Sequence, residues 1–268
     1  MSTTFTILGS RGYVGSHLTE YLRQQNDTIV QVDSTPLPSG NLGHVIFCIG
    51  VTTDFASRLH DTMRAHVSKA LEVLETCEFD SFTYLSSTRV YERGTSGEET
   101  APLSADPSNL ADYYKISKIA GEAVCLAHPR ATVRVARLSN VLGFEQPPLT
   151  FVPSLIRDAL QHGRIVLNTA LDSAKDYILM DDVVRLLPLI AQHGKERLYN
   201  LSSGVQTTHQ EIVDSISATL GSSYEARPGG ARSTFPMTAA TRLRTEFGFE
   251  PTPVIERLPS LCRQYAAL

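Results

Sequence analysis

Thr4-Phe5-Thr6-Ile7-Leu8-Gly9-Ser10-Arg11-Gly12-Tyr13-Val14-Gly15 is the stretch that decides the fold. Its first five residues are apolar or β-branched and suit a strand, and a run of regularly spaced glycines follows at once. Beyond the glycines, Val14, Leu18, Tyr21 and Leu22 recur at helical spacing, and Thr28-Ile29-Val30-Gln31-Val32 reads as a second strand. The segment is a βαβ unit with a glycine-rich first turn. Gly9 permits the tight turn, Gly12 lets a pyrophosphate approach the backbone, and Gly15 lets the helix pack closely on the strand. The N–H groups at the helix start are oriented donors for an anion. Arg11, Tyr13 and Val14 lie in the same turn and belong to the expected dinucleotide site.

Working outward, Asp33 closes the second strand, where a carboxylate can accept hydrogen bonds from an adenosine ribose and repel a 2′-phosphate. That favours NAD. A strand-end aspartate with no ligand is the plainer alternative, and Arg11 points the other way, since a guanidinium in the loop can reach a 2′-phosphate, so NADP stays open. Next come a turn-rich stretch from Ser34 to Gly43, a buried strand from Val45 to Ile49, and one helix from Phe55 to Thr76. A strand at Phe82 to Leu85, a helix at 112–127 and a strand at 132–136 continue the alternation. Strands alternating with such helices imply an α/β fold, a Rossmann-type doubly wound parallel sheet with ligands at its carboxyl edge.

After residue 140 the pattern loosens, and from 205 onward it reads as short helices and loops. The expected division is a dinucleotide-binding domain over 1–143, with a returning segment at 178–203. A small discontinuous substrate lobe takes 144–177 and 204–268. Asp181 and Asp182 tempt a metal reading, but a pair at a helix start is better explained as capping, and no metal is expected.

The 268 residues carry 24 Lys plus Arg against 28 Asp plus Glu, a net charge of −4, which excludes a nucleic-acid binder resting on a basic surface. No apolar run approaches the roughly 20 residues of a membrane span, and the start lacks a leader pattern, so a cytoplasmic protein is expected. Cys48, Cys77, Cys125 and Cys262 are scattered without ligand spacing and read as reduced core residues.

The chemistry gathers around Ser87, at the end of an internal strand, and Tyr114-Lys115-Ile116-Ser117-Lys118 on the helix that follows. Tyr114 and Lys118 are four apart and share one helix face. Tyrosine, with an ordinary pKa of about 10, is a poor base at neutral pH, but a nearby ammonium favours its phenolate and a serine hydroxyl can hold the substrate oxygen. Together they can deprotonate an alcohol while a hydride leaves for the cofactor.

In this order, GSRGYVG, YLSSTRVYE, YKISKIAGE, RLSNVLG, KDYILMDDVV, LYNLSSG and RPGG span nearly the whole chain. The set resembles the extended short-chain dehydrogenase/reductase family, the NAD-dependent epimerase/dehydratase group that works mostly on nucleotide sugars. The resemblance implies catalytic roles for Ser87, Tyr114 and Lys118, with Tyr114 and Lys118 also touching the cofactor. Ser87 is preferred to Ser86 and Thr88 because it stands four residues before Tyr91 of the family's VY pair. The resemblance places Asn140 and Arg227 on the substrate's diphosphate, with Lys175 or Arg232 adding charge. It also implies a homodimer paired through the helices at 55–76 and 112–127.

Departures from the family pattern carry information. Only eleven residues separate Asp33 from Val45, too few for the extra strand and helix the family carries there. His66 stands where the family has an asparagine, either near the proton path or as a buried hydrogen-bonded histidine. Family dehydratases place an Asp-Glu pair, and decarboxylases a glutamate, where this chain has Thr88 and Arg89. The expected activity is hydride transfer at C4 of a nucleotide-diphosphate sugar, by a 4-epimerase or 4-ketoreductase. The alternatives are an idle dinucleotide-binding sensor or scaffold of the same fold, and a reductase of a small non-nucleotide ketone.

Overall fold

In the computed structural model, residues 2–32, 37–144 and 150–267 are described. The βαβ unit forms as β1 (Thr4–Leu8), α1 (Tyr13–Gln24) and β2 (Thr28–Val32). β3 (His44–Phe47), β4 (Ser81–Ser87) and β5 (Val133–Leu138) extend the sheet, and β9 (Leu198–Leu201) closes it. The order is β2-β1-β3-β4-β5-β9, with every pair parallel. The sheet therefore ends at β2, as the shortened connection after Asp33 requires. Asp33 itself lies outside the described residues.

The strand expected at 45–49 ends at Phe47. The segment expected as one helix over 55–76 is broken. A single 3-10 turn at Phe55–Ser57 precedes α2 (Leu59–Met63), a wide π turn spans Arg64–Ser68, and α3 (Lys69–Thr76) completes the run. The cause is a donor inserted into the helix ladder: the Tyr84 hydroxyl donates to the His66 carbonyl oxygen at 3.0 Å. Against this turn packs α4 (Tyr113–Ala127), brought close because Gly121 has no side chain. A Cβ there would overlap the Tyr84 hydroxyl and lie 2.6 Å from the His66 oxygen.

One sheet face is covered by α1 and α6 (Met180–His193), packing Leu18 and Leu22 with Val183 and Leu187; α3 and α4 cover the other with Ala70, Val73 and Cys125. A separate apolar cluster joins α5 (Phe151–His162), α7 (His209–Leu220) and α9 (Val254–Ala266). Around it lie β7 (Arg164–Thr169) paired with β11 (Ser223–Ala231), and a small sheet of β10 (Gln206–Thr208), β8 (Ala174–Leu179) and β6 (Asn140–Leu142). α8 (Thr241–Phe247) packs beside β9. The region from 205 onward thus holds two long helices and a nine-residue strand, not only short helices and loops.

Asp181 and Asp182 do begin α6, but neither caps it. Asp182 pairs with Arg185 at 2.9 Å and accepts the Thr252 N–H at 3.3 Å, and Asp181 pairs with Arg257 at 3.1 Å. Their charges still favour the positive helix start. No metal-binding cluster occurs among the described residues, and no helix among them is long and apolar enough to cross a membrane. All four cysteines are free; Cys125 and Cys262 are buried, while Cys48 and Cys77 are half-buried.

Candidate active site

The carboxyl ends of β1, β3, β4 and β5 open into a cavity of about 600 Å³. Gly12, Tyr13 and Val14 line one wall, and Ser87, Tyr114 and Lys118 line another. The glycine turn is built as a close-approach surface. Gly9 takes φ +86°, and a Cβ on it would lie 2.9 Å from the Ile49 nitrogen. A Cβ on Gly15 would overlap the Gly9 carbonyl oxygen, so α1 can start this near β1 only with glycine there. The N–H groups of the first turn of α1 point toward the helix start. Gly12–Val14 line the cavity there, the Gly12 N–H closing the turn on the Gly9 carbonyl oxygen at 3.0 Å, and this cradle fits the pyrophosphate of a dinucleotide.

Tyr114 and Lys118 sit one turn apart on the buried face of α4, and β4 brings Ser87 to them. Ser87 and Tyr114 line the same cavity. Burial raises the Tyr114 phenol above its ordinary range, while the nearby Ser87 hydroxyl and the Arg89 charge pull it back. Lys118 donates to the Leu85 carbonyl oxygen at 2.9 Å and lies 5.1 Å from the Tyr84 ring centroid. Burial lowers its ammonium to about 8, against the opposing charge of Glu122.

A buried polar network holds the end of β4. The Ser86 hydroxyl donates to Glu122 at 2.5 Å, and Glu122 is clamped by Arg137 at 2.6 Å. Arg137 also donates to the Tyr91 hydroxyl at 2.7 Å, which donates in turn to Asn200 at 2.7 Å. Ser86 is committed to this network, which leaves Ser87 to face Tyr114. Glu122 lies four residues beyond Lys118 on the same helical face, a spacing in the sequence that could have revealed it.

His66 is fully buried beneath Tyr114, with the two rings edge-on at 5.5 Å. Its Nε2 accepts the Val51 N–H at 3.1 Å, and its Nδ1 is 2.8 Å from the Ser117 hydroxyl, which donates to the Tyr114 carbonyl oxygen at 2.7 Å. Burial, aided by the Lys118 charge, lowers the imidazole to about 3, so it is neutral at ordinary pH and donates from Nδ1. Of the two readings open for His66, the geometry is that of a buried, hydrogen-bonded histidine.

The expected diphosphate residues are dispersed. Asn140 lines the main cavity and donates one N–H to the Asp176 carbonyl oxygen at 2.8 Å, keeping a second N–H. Lys175 lines a neighbouring cavity of about 250 Å³. Arg227 is exposed on the irregular part of β11 and lines neither cavity. Arg232 lines neither as well and pairs with Asp172 at 3.1 Å, both side chains exposed. Two further groups went unnoticed as binding residues: Tyr177, whose buried hydroxyl has no hydrogen-bond partner among the described residues and which lines the main cavity, and Arg89, stacked on Tyr114. Only a lone aromatic in a strand marked the first. The cation directly after the Ser-Ser-Thr run marked the second.

Residues 41–202 match the model of the NAD dependent epimerase/dehydratase family, more than half of the chain. The protein belongs to that family. Among characterised members, this epimerase/dehydratase homologue is 28% identical over 181 residues to dTDP-glucose 4,6-dehydratase of Streptomyces griseus, covering 64% of this chain and 54% of that protein. The chain therefore spans about half the length of that relative. It superposes on dTDP-glucose 4,6-dehydratase from Bacillus anthracis, solved with NAD, with TM-score 0.82 and 19% identity over 99% of this chain and 97% of that one. UDP-glucose 4-epimerase from Thermotoga maritima, solved with UDP-glucose, gives TM-score 0.81 and 18% identity over 98% and 99%. At these identities the two structures establish a shared fold, and the family is an NAD-dependent one.

Proposed function

We propose that this protein is an NAD-dependent enzyme that oxidises or reduces C4 of a nucleotide-diphosphate sugar, as a 4-epimerase or a 4-ketoreductase. The observation that carries the reading is Ser87, Tyr114 and Lys118 lining one cavity with the glycine turn of α1. Bound NAD supplies the hydride acceptor or donor. Tyr114 takes the proton from the sugar hydroxyl, or returns it, and Ser87 orients that oxygen by a hydrogen bond. Lys118, charged below about pH 8, favours the phenolate form of Tyr114 once the cofactor fills the cavity. Asp33 is assigned to the cofactor ribose, Asn140 to the sugar diphosphate, and Arg227 to the same diphosphate after movement of the β11 bulge. The enzyme works as a homodimer.

The nature of residues 88 and 89 supports simple hydride transfer over dehydration. Loss of water across C5 and C6 needs one group to take a proton and another to protonate the leaving hydroxyl. Thr88 is too weak an acid, and a guanidinium, the group residue 89 supplies, is no proton acceptor. The test is incubation with NAD and a panel of nucleotide hexoses in deuterated water, followed by product analysis. Epimerised C4, or reduced C4 when 4-keto nucleotide hexoses and NADH are supplied in place of hexoses and NAD, is expected without deuterium at C3 or C5; a 4-keto-6-deoxy sugar or released carbon dioxide overturns the reading.

A further inference from the structure

Beside the reacting group lies a concentration of positive charge that the hydride chemistry does not use. Arg89 follows Ser87 by two residues, in the 3-10 turn Thr88–Tyr91, and its backbone N–H donates to the Ser87 hydroxyl at 3.3 Å. Its guanidinium carbon sits 4.9 Å from the Tyr114 ring centroid and 5.9 Å from that of Phe55. Held against these rings, its position is set, and its N–H edges remain for a ligand. The one carboxylate within ion-pair range among the described residues is Glu92, at the 4.0 Å limit.

Lys175 faces the same 250 Å³ cavity from β8, with its ammonium 5.5 Å from the Phe235 ring centroid. It is half-buried and makes no ion pair among the described residues. Burial and the repulsion of Arg89 both lower its ammonium, and Glu92 alone opposes them. Asp176, next in sequence, is no counter-ion, because its carboxylate is committed to the Ser203, Gly204 and Val205 N–H groups and the Thr238 hydroxyl. Two like charges face this partly desolvated cavity against one free carboxylate in its lining, Glu92, which meets Arg89 only at 4.0 Å, and the balance is complementary to an anion. Asn140 lines this cavity and the main one, so a single ligand can reach both.

Position chooses the anion. A guanidinium stacked on Tyr114 reaches substituents on the sugar carbons next to the one whose hydroxyl meets that tyrosine. We propose that Arg89, with Lys175 behind it, is a carboxylate subsite, so that the sugar taken by this enzyme is a nucleotide uronate whose C6 is a carboxylate. The inference rests on the C4 nucleotide-sugar reading above. The planar fork of arginine matches a carboxylate by two parallel hydrogen bonds, and a neutral C6 hydroxymethyl group would leave Lys175 without an ion pair and Arg89 with only its long contact to Glu92.

The test is calorimetric binding, with NAD present, of UDP-glucose against UDP-glucuronate and UDP-galactose against UDP-galacturonate. The thymidine diphosphate forms and free UDP and dTDP complete the set. The wild-type protein is expected to bind each uronate at least about tenfold more tightly than its neutral partner. Arg89→Gln is expected to bring each pair within about twofold by weakening the uronates alone, and Arg89→Lys to keep part of the preference. Equal or tighter binding of the neutral sugars by the wild type overturns the inference. So does an Arg89→Gln variant that weakens free UDP or dTDP as much as the uronates, because the pocket then takes the diphosphate. C4 turnover of neutral hexoses alongside either result leaves the parent reading standing; no binding or turnover of any nucleotide sugar overturns both.

Discussion

Tyr114 is assigned the proton transfer, and its neighbours set what its loss should do. Tyr114→Phe removes the phenolic oxygen while leaving the ring to pack on Phe55, His66 and Arg89. Turnover is expected to fall about 10²–10⁴-fold, with NAD affinity by calorimetry unchanged; a near-normal rate would show the base to be elsewhere. Lys118 gives a second prediction. Its ammonium titrates near 8 in the folded chain, below the ordinary lysine value. Between those values the unfolded chain holds a proton that the folded chain has released, so this residue makes stability rise with pH there. In chemical denaturation, the stability of wild type relative to Lys118→Met should therefore grow from about pH 7 to about pH 10. A flat difference would mean that Lys118 is well solvated. The Tyr114–Lys118 pairing was legible because four residues make a helical turn. The choice of Ser87 over Ser86 needed the family resemblance, and its physical basis, the commitment of Ser86 to Glu122, depends on a contact 36 residues away.

Among the elements, the π turn at Arg64–Ser68 and the facing glycine of α4 form one device. The turn presents the His66 oxygen to Tyr84, and α4 closes over both at Gly121. Gly121→Ala removes a helix-weakening residue, which by intrinsic preference stabilises by about 1 kcal/mol. The overlap opposes this, because the obstructing atoms are a backbone oxygen and a buried tyrosine tip, and overpacking costs about 1–3 kcal/mol. The clash should win. Thermal unfolding is expected at lower temperature, together with reduced turnover, since a displaced α4 carries Tyr114 and Lys118 with it; unchanged stability would show that the helix yields freely. Periodicity could not announce this turn, because its side chains still recur as in an ordinary helix. The strand β11 was hidden for another reason. Its sequence, Ser223-Tyr224-Glu225-Ala226-Arg227-Pro228-Gly229-Gly230-Ala231, contains breakers, its face is mostly exposed, and it pairs with β7 nearly sixty residues earlier.

For the whole molecule, the outer face of the α3–α4 layer remains. These helices pack on each other and on the sheet through Val73 and Cys125, yet Leu71 of α3 and Leu126 of α4 stay 39% and 37% exposed. Ile116, Ile119 and Val124 add half-buried apolar surface on α4. Such residues on adjacent helices suit a two-fold contact, in which the same face of each copy meets the other and a single patch serves both sides. None of the exposed large apolar side chains among the described residues lies on α1 or α6, which cover the opposite sheet face. A dimer is therefore expected by light scattering at micromolar concentration. Leu71→Glu combined with Leu126→Glu should yield a folded monomer, since each charge would be buried twice in the pair and remains solvated in the single chain. Circular dichroism of the double variant should match wild type, which separates lost pairing from lost folding. A wild-type monomer, or a double variant that still dimerises, would place any contact between copies on another face.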